Sequence, residues 1–165
     1  MQFGLSEEQI LLRDNINRFL DDNSPLDRVR AYADGGNDTD IWSGLAELGV
    51  PALLVPEEQG GIGLGPLDAA IVAECLGAHI TPAPFLGTAV MAPTALVASG
   101  GNQDALLAEI AAGTHRVGIA FAEAIKRRND ARVEVRGDRM FGKSLFAFDS
   151  VADSYLVADQ NKHLY

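Results

Sequence analysis

The sequence predicts an α+β protein in which an all-helical N-terminal unit precedes a unit of β-strands. Two changes of pattern and one loop carry that expectation. From residue 6 to about residue 112 apolar residues recur at the three-to-four spacing of helices. From Arg116 onward the period shortens, and Arg132-Val133-Glu134-Val135-Arg136 alternates strictly as a half-buried strand does. Between two helical patterns lies the stretch Leu53 to Pro66, where Gly60, Gly61, Gly63 and Gly65 follow Pro56 and two acids. Glycine permits positive φ and close approach, and proline fixes φ, so this loop must hold a particular shape.

The helices follow in order. Residues 6–22 form an amphipathic helix with Leu12, Ile16, Phe19 and Leu20 on one face, and Ser6 with Gln9 has the pattern of a capping box. Pro25 suits the first turn of a short helix through Tyr32. Asp34 to Asp38 is a turn cluster, after which Thr39 or Asp40 caps a helix bearing Ile41, Trp42, Leu45 and Leu48. Gly49 closes it. Val50 to Pro56 is short and bounded by proline, which predicts an extended segment leading into the glycine loop. Pro66 starts a helix to Gly77 that is apolar nearly all round and is therefore expected to be central and buried, with Glu74 as the exception. Phe85 to Ser99 reads as a further apolar helix with Pro93 as a kink or junction. Asn102 is expected to cap a short helix from Gln103 to Ala112.

Strands are expected at Arg116 to Ala122, at Arg132 to Arg136, at Arg139 to Phe148 after a tight Gly137-Asp138 turn, and at Ser154 to Ala158. His163-Leu164-Tyr165 looks like the start of another. A sheet of three or four strands with open edges is a poor ending for a soluble protein, so the sequence suggests the front of a longer chain or a chain completed by a partner.

Composition narrows the function. The 165 residues are 47% apolar and 22% charged, enough for a sizeable core. A net charge of −10 argues against a nucleic-acid backbone or an anionic membrane as main partner. The single cysteine, Cys75, excludes an internal disulfide and suits a reducing compartment. The N-terminus lacks the basic-then-apolar pattern of a signal peptide, and no run approaches the ~20 apolar residues of a membrane span. The expectation is a soluble cytoplasmic protein.

Few residues advertise chemistry. The glycine loop lacks the spacing of the dinucleotide fingerprint and the Lys-Ser/Thr of a P-loop, so a structural turn is the better reading. His79, His115 and His163 stand far apart with no ligand spacing, which leaves no expected metal site. Cys75 sits inside an apolar helix where a thiol is inert. Glu74 is either a buried acid or, more simply, a group facing a loop or capping a neighbour's amides. Lys126-Arg127-Arg128 reads as a solvated connector in so acidic a chain.

The sequence nevertheless resembles the N-terminal part of the flavin-dependent acyl-CoA dehydrogenase family. The resemblance rests on Val55-Pro56-Glu57-Glu58-Gln59-Gly60-Gly61-Ile62-Gly63, then Asp68, Ala70, Val72, Glu74 and Leu76-Gly77. Phe3 to Gln9, Trp42 to Gly49, Gly142-Lys143-Ser144-Leu145-Phe146 and Val151-Ala152-Asp153 are similar to further landmarks of the family. It implies a helical domain over 1–114, the first strands of a β-barrel-like middle domain over 115–165, and a C-terminal helical domain absent from this chain. It implies FAD, an acyl-CoA substrate, an electron acceptor such as an electron-transfer flavoprotein, and a homo- or hetero-oligomer. By the same resemblance Phe121, Ala122 and Glu123, with Leu145, Phe146 and Ala147, are the cofactor-binding residues. Phe85 to Ser99 would line the acyl pocket. Ala122 and Ala124 stand where the family has threonine and proline, and Ile125 to Asp130 replaces its Gly-Ser-Asp loop. These departures leave two readings, a divergent dehydrogenase or a non-catalytic subunit that depends on a partner. No acid in the chain is expected to be the catalytic base.

Overall fold

The structure, a computed structural model, describes residues 4–121, 131–149 and 151–165. Helix α1 (Glu7–Asn23) begins at the expected capping box: Gln9 N donates to Ser6 Oγ at 3.2 Å and Ser6 N to Gln9 Oε1 at 3.1 Å. It buries Ile16 and Leu20. Helix α2 (Leu26–Ala33) follows Pro25, and α3 (Thr39–Glu47) turns Ile41, Trp42 and Leu45 inward. The cap of α3 is Asp38, not Thr39 or Asp40, and its side chain makes no capping bond. Asp38 is instead drawn to Arg116.

Val50 to Pro56 is not extended. It folds as a 3-10 turn, Val50–Ala52, and a second turn, Glu57–Gln59, follows. An extended segment points alternate residues to opposite faces. Here Val50 and Leu53 must enter one core cluster while Ala52 and Val55 enter another, and tight turns achieve both. The glycine loop folds back across this segment, with Ile62 N donating to Ala52 O (2.9 Å), Gly63 N to Val55 O (2.9 Å) and Leu64 N to Leu53 O (2.7 Å).

Helix α4 (Pro66–Ala78) packs across α1 and buries Ala69, Ile71, Val72, Cys75 and Leu76. It is not buried all round: Leu67 is 57% exposed, and Ala70, Glu74 and Gly77 face out. Its apolar character on the outer face comes largely from small residues, which expose little area. Asp68 ties both helix starts together, accepting from Gly65 N at 3.0 Å and from Gln9 Nε2 at 3.1 Å.

The apolar stretch 85–99 divides into a π-helix, Phe85–Met91, and α5, Ala92–Ser99. Pro93, at the start of α5, has no amide to donate back into the preceding turn, and the wider π turn lies just before it. Helix α6 (Asp104–Ala111) starts after Gln103, one residue beyond the expected Asn102 cap.

Among the described residues four short strands follow: β1 (Val117–Ala120), β2 (Val133–Arg136), β3 (Arg139–Gly142) and β4 (Ser154–Val157). They form two sheets rather than one. Strands β1 and β4 pair in parallel, with Val117 opposite Ser154. Strands β2 and β3 form an antiparallel hairpin across Gly137. The expected long strand Arg139 to Phe148 stops at Gly142, whose φ of 127° turns the chain away. Its far end rejoins the other sheet through an antiparallel bridge between Ile119 and Phe148. Tyr165 does pair, exchanging backbone bonds of 2.9 Å with Val157.

Candidate functional site

Where the helices meet the β-strands, polar groups are held with unusual care. Thr88 of the π-helix is fully buried. Its hydroxyl accepts from Val117 N at 3.0 Å and lies 3.4 Å from Val117 O, which clips the π-helix to β1. Beside it the Arg116 guanidinium pairs with Asp38 at 2.8 Å, and both side chains are largely buried. Arg116 also lies 6.0 Å from the Trp42 ring centroid, and its backbone amide donates to Asp153 Oδ2 at 2.8 Å. Trp42 Nε1 donates to Gly113 O at 3.0 Å. Asp38, Trp42, Arg116 and Asp153 thus join the third helix to the start of β1 and the turn before β4.

Asp149 stands at the centre of this junction. Its backbone takes φ of 57°, a left-handed conformation that side-chain-bearing residues seldom adopt. Its Oδ2 is buried with no hydrogen-bond partner among the described residues. Burial, then the neighbouring Asp38 charge, push its carboxyl above the usual range, while the Gly87 amide and Arg116 act in the opposite sense. Asp149 also lines two cavities. One, about 390 Å³, is mostly apolar and includes Leu76, Ile80, Phe85, Leu86 and Phe148 in its walls. The other, about 340 Å³, has mixed polar and apolar walls and includes Tyr32, Asn37, Asp38 and Arg116.

The residues expected to hold a cofactor come partly together. Phe121 is half-buried just past β1, against the core cluster of Val55, Ile110 and Ile119. Leu145 is half-buried, and Phe146 and Ala147 are exposed in the segment that leads to the Phe148 bridge. The Ile119–Phe148 bridge brings the end of this segment against β1, two residues before Phe121. Ala122 and Glu123, and the basic run Lys126 to Arg128, lie outside the described residues. Phe146 and Phe148 are 56% and 52% exposed, an aromatic edge alongside β1 that a planar ring system can cover. The residues present therefore fit a flavin in kind.

The remaining candidates make local hydrogen bonds or pack in the helices. His79 caps the end of α4, with Nδ1 2.8 Å from Cys75 O and Nε2 3.0 Å from Asp21 Oδ1. The bond to Asp21, then that to the Cys75 carbonyl, raise its pKa. His115 lies 2.8 Å from Ser154 Oγ and 3.3 Å from Glu109. The Cys75 thiol is buried and pushed up by that burial, then by Glu74. Glu74 is solvent-facing. Among the described residues no three His, Cys, Asp or Glu converge as a metal cluster would, and no helix is long and apolar enough to cross a membrane. Sequence reading missed Thr88, Arg116 and Asp149. A hydroxyl among the apolar residues Phe85 to Met91 was the available signal for Thr88; the other two have none without tertiary contacts.

A helical layer joined through buried polar contacts to a small β unit is the frame on which these residues sit. The sequence model of the acyl-CoA dehydrogenase N-terminal domain matches residues 6–114, and the chain belongs to the acyl-CoA dehydrogenase family. It is 38% identical over 120 residues to acyl-CoA dehydrogenase IpdE2 of Mycolicibacterium smegmatis, covering 71% of this chain and 38% of that protein. It is 34% identical over 129 residues to (2S)-methylsuccinyl-CoA dehydrogenase of Cereibacter sphaeroides, covering 73% of this chain and 23% of that one. Among solved structures, the ChsE4–ChsE5 complex from Mycobacterium tuberculosis matches with a TM-score of 0.81 at 24% identity, over 95% of this chain and 45% of that chain. The fold alone follows from that likeness. The chain spans well under half the length of the curated relatives it matches.

Proposed function

We propose that this chain supplies the helical unit (1–114) and the first strands of the β unit (115–165) of an FAD-dependent enzyme that dehydrogenates an acyl-CoA thioester between its α and β carbons. The observation that supports this best is the family match over residues 6–114, joined to an exposed aromatic edge at Phe146 and Phe148 beside β1. FAD bound there would supply the acceptor for the β-hydrogen as hydride.

The chain's own residues bind, orient and exclude water. Phe121, Ala122 and Glu123 from one segment, and Leu145, Phe146 and Ala147 from the facing one, would hold the flavin through backbone groups and apolar contact. Leu86 of the π-helix and Phe148 share the walls of the apolar cavity, which suits an acyl chain better than a charged ligand. Closing that cavity over the substrate would keep water from the reacting carbons. The catalytic base is assigned to none of the acids in this chain. Reduced flavin would be reoxidised by an acceptor such as an electron-transfer flavoprotein. Association with a second dehydrogenase-like chain is the partner reading, by analogy with the ChsE4–ChsE5 complex. The setting proposed is the cytoplasm.

Full-length protein purified and incubated with FAD should be yellow. Its flavin absorbance should bleach anaerobically with at least one member of a panel of short- to long-chain acyl-CoA thioesters. A protein that stays colourless after incubation with FAD refutes the proposal. Bleaching that appears only on co-expression with a second dehydrogenase chain would replace it with the partner-dependent reading.

A further inference from the structure

The π-helix carries a gap at Gly87. A Cβ built there would overlap Asp149 Oδ2 and stand 3.0 Å from Val117 O, so the space a side chain would need is filled by the Asp149 carboxyl. Asp149 immediately follows Phe148, the residue that bridges to Ile119 of β1. Its left-handed φ aims the carboxyl back into that gap, and the cost of this backbone is borne by a residue with a side chain. Thr88, the next residue of the π-helix, is bonded to Val117. The π-helix is therefore seated on β1 by Thr88 and against the 145–149 segment by Asp149.

We propose that Asp149 is a positioning residue: its carboxyl, set into the Gly87 gap, fixes the distance and orientation between the π-helix and the segment Leu145–Phe148. This rests on the reading above, in which the π-helix walls the acyl cavity and that segment carries the flavin. Asp149 does not touch the reacting atoms. The groups that act on its carboxyl are Asp38 from the start of α3, the Gly87 amide from the π-helix and Arg116 from the edge of β1. With burial and Asp38 favouring the uncharged form, a neutral side chain of the same shape should serve as well as the acid.

Two measurements on the full-length protein test this. The first is a thermal-melting cycle of G87A, D149G and G87A/D149G. The alanine methyl and the carboxyl compete for one space, so D149G should raise the melting temperature of G87A by clearly more than it changes the wild type. Equal shifts in the two backgrounds overturn the proposal. The second is FAD affinity, read by quenching of flavin fluorescence. D149G should weaken FAD binding by at least about tenfold, the scale on which a lost supporting contact loosens a bound group, while D149N stays within about threefold of wild type. A D149G protein with wild-type FAD affinity overturns the positioning role even if the melting cycle shows coupling. Wild-type protein that takes no FAD refutes the flavin reading and the positioning role with it, whereas a coupled cycle would then report a packing contact only.

Discussion

Gly61 is the position at which the glycine loop is most exposed to a single methyl group. A Cβ at residue 61 would overlap the Val55 carbonyl and stand 2.6 Å from Val55 Cβ. Neither neighbour is the free end of a flexible side chain, so the loop must lift away from residues 52–55. Lifting it breaks the three backbone bonds from Ile62, Gly63 and Leu64 to Ala52, Val55 and Leu53. At about 1 kcal/mol each, their loss puts the destabilisation of Gly61→Ala at about 3 kcal/mol, and more if the Val55 carbonyl is left buried and unpaired. For a chain of this size that corresponds to a fall in Tm of about 6–12 °C, measured by circular dichroism at matched concentration. Gly77→Ala is the control: that glycine lies on the exposed face of α4 with nothing within 4 Å of an added Cβ, and alanine there should leave Tm unchanged or raise it. A Gly61→Ala protein that melts within about 2 °C of wild type refutes the claim that backbone contact sets the loop's shape.

Two further predictions concern groups near the core. His79 has a folded pKa raised by Asp21 and by the Cys75 carbonyl, so its contribution is complete below the unfolded value of about 6.5 and fades as pH rises through the folded pKa. Asp21→Asn should therefore cost about 0.5 kcal/mol at pH 6, a figure reduced by the exposure of Asp21, and nothing at pH 9; an equal cost at both pH values in urea titrations would contradict this. Trp42→Phe removes the donor to Gly113 O and should lower the urea midpoint by an amount equivalent to about 1–2 kcal/mol with an unchanged m-value, and an unshifted midpoint would show that the bond contributes nothing.

Local signals in the chain were legible where they act locally. Ser6 with Gln9, Pro25, Gly49 and Pro66 each set one helix end through their own side chain or backbone, and each does so here. Pro93 marks a junction because a missing amide is a property of the residue itself. Val50 to Pro56 was misleading because its burial, shared between two core clusters, outweighs the extended preference near proline. The helix from Pro66 to Ala78 was misleading in a different way: small apolar residues can face solvent at little cost, so composition overstated its burial. The strand expected from Arg139 to Phe148 is cut at Gly142, and only its last residue, by crossing to β1, shows where Leu145 to Ala147 lie.

The sequence by itself therefore determined the helical and β portions, most helix ends, and the family through the loop and helix from Val55 to Gly77. These rest on spacing and on residues with restricted or permissive backbones, which act over a few positions. Tertiary structure alone decided the junction: Thr88 against Val117, Arg116 with Asp38, and Asp149 in the space left by Gly87. Those partners are between 29 and 78 residues apart where a bond joins them. No periodicity links them, and only the packed chain brings them within reach.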